Sequence, residues 1–241
     1  SQDGVLKGRP AYIRSTAPLR ASHRKVTLAR GPLGTTALRL PGGVWMQCGS
    51  DPIRASRTRS YALRFLHEGI ANVPILMVVN QDAMIDVASD SWFIGGVPSV
   101  ALGSVRGWNS VVVRVDHEQH AELFLNGMKT STLWHADFIR GPGHRYEGVQ
   151  LGLYNDKYNS FGPKYYDRMV PQLRASKTLA DFRVFNTRVT DTAVAAYTRG
   201  DPTPDGLVAH WPLDTLPDAN FNYHDRIGGH ILHVWRYYGW D

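Results

Sequence analysis

The stretch "WNSVVVRVDHEQHAELFLNGMKT", residues 108 to 130, constrains the fold more than any other part of the chain. Val111, Val113 and Val115 share one parity, and Val112, Arg114 and Asp116 share the other. After the polar turn "DHEQ", Ala121, Leu123 and Leu125 return to a single face. A repeat of two residues marks strands buried on one face and does not produce a helical stripe. Asn126-Gly127 then signals a type I′ turn, because both central residues of that turn need a positive φ. A third strand leaves through Met128 and Lys129. The predicted unit is an antiparallel meander with one face in a core.

Other segments read the same way. "SYALRFL" (60–66), "PILMVVN" (74–80), "SWFIGG" (91–96), "VQLGLYND" (149–156), "LADFRVFN" (179–186) and "GLVAHWPLD" (206–214) are short apolar runs bounded by turn residues. The tail "HILHVWRYYGWD" is apolar enough to pair into a sheet. One helix is expected near 190–199: Thr190 or Asp191 caps "TAVAAYTR", and Gly200 with Pro202 stops it. Many strands, one short helix and no βαβ alternation predict an all-β, two-sheet antiparallel β-sandwich of jelly-roll type.

The chain has 241 residues, of which 43% are hydrophobic and 20% charged, as expected for a single soluble domain. No run approaches about 18 apolar residues, so no membrane span is expected. Cys48 is the one cysteine, which rules out an internal disulfide; its setting in a strand reads as a packing residue. The net charge of +6 is uneven. Residues 1–30 carry Lys7, Arg9, Arg14, Arg20, Arg24, Lys25 and Arg30 against Asp3 alone, and read as a basic N-terminal arm. Such an arm suits an acidic polysaccharide or a partner subunit. Nucleic acid is disfavoured, because no recognition motif accompanies the charge.

Taken in order, several segments resemble the concanavalin A-like lectin/glucanase superfamily, and within it the laminin-G-like jelly rolls. These are "GPLGTTALRLPGGVWMQC", "GWNSVVVRVDHEQHAELFLNG", "VQLGLYND" and, most specifically, "LADFRVFNTRVTDTAVAAYTRGD" with its Asp-x-Arg strand before a capped helix. "GLVAHWPLD…DRIGGH" resembles the opening strand of such domains, yet here it comes last. The expected organisation is therefore the arm 1–30 followed by one sandwich over 31–241, with 206–241 supplying closing strands. The resemblance implies a fold that houses both enzymes and binding modules.

A glucanase needs two carboxylates about 5 Å apart. The chain has only Glu68, Glu118, Glu122 and Glu147, and Glu118 with Glu122 falls at the polar turn, where His120 replaces a central Asp. Relatives that are polysaccharide lyases use Tyr or His to take the C5 proton and Arg, Asn or Gln to neutralise the uronate carboxylate. Tyr154, Arg59, Gln81 and His135 are the residues that would fill those roles. Calcium would need clustered Asp/Asn oxygens, for which Asn155, Asp156 and Asn159 are the best group. The scattered histidines, including His117/His120 and His230/His233, read as surface residues.

Sugar binding needs aromatic platforms on a rim. The long polar-aromatic segment "KYNSFGPKYYDRMVPQLRAS" offers them. The expected ligand set is Trp134, Tyr154, Asn155, Asp156, Tyr158, Tyr165 and Tyr166, with Phe161 nearby, whereas Trp92, Trp108 and Trp211 sit in apolar alternation and are expected in the core. The leading expectation is a non-catalytic, carbohydrate-binding (lectin-like) domain of a secreted, surface or virion protein, taking a glycan, with Ca2+ as an optional cofactor. The alternatives are a uronate-cleaving lyase, and a structural subunit that meets protein partners through the arm 1–30 and the aromatic tail 231–241.

Overall fold

In the computed structural model the described residues are 11–14, 25–48, 58–71, 73–80, 83–94, 100–116, 120–133, 148–152, 175–202 and 205–238. The strands in chain order are β1 (Ala11–Arg14), β2 (Thr27–Arg30), β3 (Thr36–Leu40), β4 (Val44–Cys48), β5 (Arg59–His67) and β6 (Pro74–Asn80). They continue with β7 (Ala83–Ala88), β8 (Ser91–Ile94), β9 (Val100–Ala101), β10 (Gly107–Val115), β11 (Ala121–Leu125) and β12 (Met128–Leu133). The last are β13 (Gly148–Leu151), β14 (Lys177–Phe185), β15 (Leu207–Trp211), β16 (Asn222–His224) and β17 (Ile231–Tyr238). The helix α1 spans Asp191–Arg199.

Two antiparallel sheets face each other. The first runs β1-β17-β4-β13-β6-β7-β8-β9, with β16 added on β17; the second runs β12-β11-β10-β5-β14-β3-β2, with β15 added on β14. The fold is an all-β sandwich, as the period of two requires. Tyr61, Leu63, Phe65, Val111, Val113, Val115 and Leu123 from the second sheet meet Met46, Val78, Val87, Val149 and Leu232 from the first. The meander is paired as its parity demands, Val113 opposite Leu123 on one side and Tyr61 on the other. Asn126 (φ 50) and Gly127 (φ 81) both take positive φ in the turn. Trp211 and Cys48 are in the core. Trp108 is not: it shares parity with Val112, on the outer face, and is half-buried. The residues of its strand that fill the core between the sheets, Val111, Val113 and Val115, belong to the opposite parity.

Two parts of the basic segment 1–30 join the sheets, β1 pairing with β17 and β2 with β3. The closing segment serves both sheets, through β15 on β14 and β17 on β4.

The outer face of the second sheet is covered by α1. Val189, Ala193, Val194 and Tyr197 pack on Ala62, Val112, Phe124 and Phe185. Thr190 caps the helix by accepting from the Ala193 amide, and Gly200 closes it in the left-handed conformation. Charged side chains surround this apolar patch. Glu122, which the sequence placed at a solvated turn, lies in β11 directly opposite Arg114 and is buried. Arg114 (2.6 Å), Lys129 (2.5 Å) and Arg188 (2.5 Å) all bind its carboxylate. Burial pushes the Glu122 carboxyl up, but hydrogen bonds from Lys129, Arg114 and Arg188 outweigh it and hold it at about 2.

Candidate functional site

The sandwich has two ends. β5 is nine residues long, so its ends, Arg59 and His67, are separated by roughly 27 Å. The His67 end is where the long aromatic segment is anchored. β13 sits between β4 and β6 in the middle of the first sheet and gives way to Gly152, whose amide donates to the Ile75 carbonyl at 3.1 Å. The chain re-enters the described residues at Ala175 and begins β14, between β5 and β3 in the second sheet. Gly152 has φ +88, and a Cβ there would lie 3.1 Å from Leu40 Cδ1 and 3.6 Å from Lys177 Cδ. The two sheets therefore approach closely where the segment leaves one and joins the other.

A small cavity of about 10 Å³ opens beside these anchors, lined among others by His67, Glu68, Ile75, Ser89, Lys177 and Thr178. That is room for about one water molecule. Its polar groups are held in place. His67 Nδ1 lies 3.0 Å from Ser104 Oγ. Arg39 Nη1 donates to Glu68 Oε1 at 2.9 Å and to Thr178 Oγ1 at 3.2 Å. The Ser89 hydroxyl donates to the Ile70 carbonyl at 3.0 Å and accepts from the Val73 amide at 3.3 Å.

Lys177 differs from its neighbours in burial. It has the parity of Leu179, a core residue, so its stem runs between the sheets, and it is only 2% exposed. Burial brings its ammonium down from the ordinary lysine value to about 7. The sequence reading missed this residue. The available signal was a lysine at an inward position, two residues before Leu179, at the very start of a strand; such a position lies on the rim of a sandwich and not in mid-core.

Of the residues expected from sequence to bind ligand, Trp134, Tyr154, Asn155, Asp156, Tyr158, Tyr165 and Tyr166 lie outside the described residues, as do Phe161 and the third calcium candidate, Asn159. Among the lyase residues, Tyr154, Gln81 and His135 also lie outside them. Arg59 is described: it opens β5 with the inward parity of Tyr61 and is buried. The flanking residues of the other three are informative. Asn80, before Gln81, ends β6 at the sandwich end that holds Arg59, and Leu133, before His135, pairs with Ala121 there. Gly152, two residues before Tyr154, is at the opposite, His67 end. Among the described residues no group of three or more His, Cys, Asp or Glu could hold a metal ion. No described helix is long and apolar enough to cross a membrane.

The outer face of the first sheet carries a polar row. Register sets His233 opposite Gln47 and Gln47 opposite Gln150. Gln150 Nε2 donates to Gln47 Oε1 at 3.3 Å, and His233 Nδ1 lies 2.7 Å from Asn222 Oδ1. His233, expected as a surface residue, is half-buried in this row. Trp45 and Gln150 on the same face are buried, 2% and 7% exposed, and so offer no open platform.

No protein-family model matches the chain. No curated protein matches its sequence. Solved structures share its architecture. A candidate carbohydrate-binding protein from Bacteroides ovatus superposes with a TM-score of 0.57 at 15% identity, covering 83% of this chain and 58% of that one. The binding domain of Botulinum neurotoxin DC, in complex with rat synaptotagmin II, gives 0.47 at 11% identity over 83% of this chain and 53% of that one. Domain 4 of an extracellular GH43 arabinanase from Geobacillus stearothermophilus, in complex with arabinotriose, gives 0.45 at 12% identity over 73% of this chain and 82% of that one. The chain thus spans little more than half the length of the first two. At 15% identity the Bacteroides ovatus likeness establishes the β-sandwich fold.

Proposed function

We propose that the chain is a non-catalytic carbohydrate-binding domain whose ligand contacts come from the aromatic segment between Gly152 and Ala175. The observation that carries this reading is topological: the described residues on either side of the aromatic-rich stretch, Gly152 after β13 and Ala175 before β14, lie at middle strands of the two sheets, beside a cavity with fixed polar groups. Rims of this kind combine flat apolar surfaces for sugar C–H faces with oriented groups for hydroxyls. The Bacteroides ovatus neighbour, itself a candidate carbohydrate-binding protein, supports the reading by analogy of fold. The proposed contacts are Tyr154, Asn155, Asp156, Tyr158, Tyr165 and Tyr166, on a protein of the extracellular, cell-surface or virion kind; Trp134 follows Leu133, which pairs at the Arg59 end, and is not carried forward.

A glycan array probed with the purified chain, with and without chelator, tests this. Binding that falls in the combined Tyr158→Ala, Tyr165→Ala, Tyr166→Ala variant supports the reading. An array with no binder at all overturns it. Loss of binding on chelation would assign calcium to Asn155, Asp156 and Asn159; unchanged binding would remove calcium from the proposal.

The lyase reading needs Tyr154 and Arg59 at one uronate, and their strands place the flanking residue Gly152 and Arg59 at opposite ends of the sandwich. Residues of the arm and of the tail pair with each other within the chain, Ala11 opposite Tyr238 and Arg14 opposite Trp235, so this pairing does not itself favour the assembly reading.

A further inference from the structure

We propose that the outer face of the second sheet carries a separate glycan site, a row of side chains running across the strands from Trp108 to Arg39, which takes a uronate-containing oligosaccharide. This site is built from other residues, on another surface, than the aromatic segment after Gly152, so either can fail without the other.

The row is set by register. Trp108 of β10 lies opposite Leu66 of β5, Leu66 opposite Thr178 of β14, Thr178 opposite Arg39 of β3, and Arg39 opposite Thr27 of β2. All five have the parity opposite to that of the core residues Phe65, Leu179 and Leu38. Neighbouring strands are about 4.8 Å apart, so Trp108 and Arg39 are separated by about 14 Å, the span of a few linked pyranose rings. Two residues along the strands, the adjacent row Ser110, Arg64 and Ala180 lies at the end of α1. There Ser110 Oγ is 3.1 Å from Thr198 Oγ1, and Arg64 donates to the carbonyls of Tyr197 and Thr198. The last helical residue is Arg199, so the helix stops at that row. In the next one Trp108 and Leu66 are half-buried and Thr27 is exposed.

The groups in the row suit a sugar acid. A half-buried indole is a flat platform for the C–H face of a pyranose ring. Arg39 is held in place, its Nη1 donating to Glu68 Oε1 at 2.9 Å and to the buried Thr178 Oγ1 at 3.2 Å. Its side chain is still 37% exposed. Both bonds use Nη1, and the rest of the planar fork is suited to take a carboxylate by charge-assisted hydrogen bonds. Glu68, with its side chain 34% exposed, can accept from ring hydroxyls. Charge selects the ligand further. Arg106 is exposed, with its guanidinium against Gly69 beside Glu68, and Lys25 is exposed two residues before Thr27. Among the described residues in and beside the row, Arg39, Arg106 and Lys25 stand against the carboxylate of Glu68, and this balance favours an anion. An extended peptide is a poor occupant, because β10, β5, β14 and β3 are each paired on both sides and can accept no added strand.

The test titrates galacturonate, glucuronate and mannuronate hexasaccharides, their methyl esters and a sulfated neutral hexasaccharide into the full chain by calorimetry. At least one free acid should bind about ten- to a hundredfold more tightly than its ester, and added salt should narrow that gap. Trp108→Leu, which keeps an apolar side chain, should weaken acid and ester alike by about three- to tenfold. The double variant Arg39→Met, Arg106→Gln should remove the preference for the acid. The combined Tyr158→Ala, Tyr165→Ala, Tyr166→Ala variant should leave acid binding unchanged. If Trp108→Leu does not fold, the arginine variant, altered at two side chains open to solvent, decides. Equal affinity for acid and ester overturns the inference, as does tighter binding of the sulfated probe than of every uronate. Acid binding that survives both face variants and is lost in the tyrosine variant overturns it too, and supports the aromatic segment as the site. No uronate binding at all overturns it while the glycan array still decides the other site. Self-association of the chain that Trp108→Leu abolishes would assign the face to a second copy and overturn it as well.

Discussion

Arg64 and Asp181 are 117 positions apart in the chain, and Arg64 Nε lies 3.3 Å from Asp181 Oδ2. Around this contact the helix is fastened to the second sheet. Arg64 also donates to the carbonyls of Tyr197 and Thr198 in the last turn of α1, where a cation satisfies unpaired carbonyls and the negative end of the helix dipole. The Tyr197 hydroxyl donates to the Asp181 carbonyl at 2.7 Å, and Arg183 and His210 reach the same carboxylate at 2.6 Å and 2.9 Å. Asp181 has φ 53, in the left-handed region, and its amide donates to Pro212. It sits where the register of β14 against β5 slips by one residue, which turns Arg183 to the outer face.

Replacing Asp181 by Ala leaves Arg64 and Arg183 buried with their shared carboxylate gone. A loss of about 3 kcal/mol is expected, read from urea unfolding. A loss below about 1 kcal/mol would show that the cluster behaves like a surface pair.

Acid should weaken the same face. The Asp181 carboxyl is raised by burial but lowered overall, by His210 and Arg183, and Glu122 is held at about 2. Carboxyls depressed on folding contribute stability above their unfolded values and lose it as pH falls through the folded ones. For Glu122 the window runs from 4.5 down to about 2. Thermal melts from pH 7 to 2 should fall mostly below pH 4.5, and Glu122→Gln should flatten that fall.

Lys177 should add a dependence of the same sign in a higher window. Between about 7 and 10.5 the unfolded chain binds a proton that the folded one does not, so stability rises with pH across that window. Lys177→Met removes a buried charge and keeps an apolar stem. Its Tm relative to the unaltered chain should be more favourable at pH 6 than at pH 10; a difference independent of pH would contradict the burial of a titrating ammonium.

Asn126 has more to do than turn the chain. Its side-chain oxygen accepts from the Ser110 amide at 2.8 Å, and its nitrogen donates to Asn109 Oδ1 at 3.0 Å. Asn126→Ala loses both bonds and the tolerance of positive φ, at about 2 kcal/mol. Asn126→Gly should recover the backbone part alone.

Gly200→Ala tests how the helix ends. Gly200 has φ +89, and a Cβ would fall 2.5 Å from Leu33 Cδ1. Destabilisation of about 1–3 kcal/mol is expected, against about 1 kcal/mol for Thr190→Ala at the other end of α1, both by urea unfolding.

Local chemistry made much of this legible in advance. The period of two in residues 108–125, the Asn126-Gly127 turn and the Thr190 and Gly200 caps each state a conformation within a few residues of sequence, because parity, positive φ and orphan helix amides are short-range demands. They determined the strands, the sandwich class and the helix. Other features depended on partners far along the chain. No local pattern shows that Glu122 would meet Arg188, that Trp108 would face outward, or that an extra residue at Asp181 would shift β14. Lys177 was hidden for the same reason: its burial comes from Leu40, Gly152 and the cavity wall, which lie on different strands and both sheets. Which strand end faces which, and therefore that Gly152 and Arg59 lie at opposite ends, was decided by the pairing of sheets alone, since strand order is a property of long-range contacts that alternation of side chains does not encode.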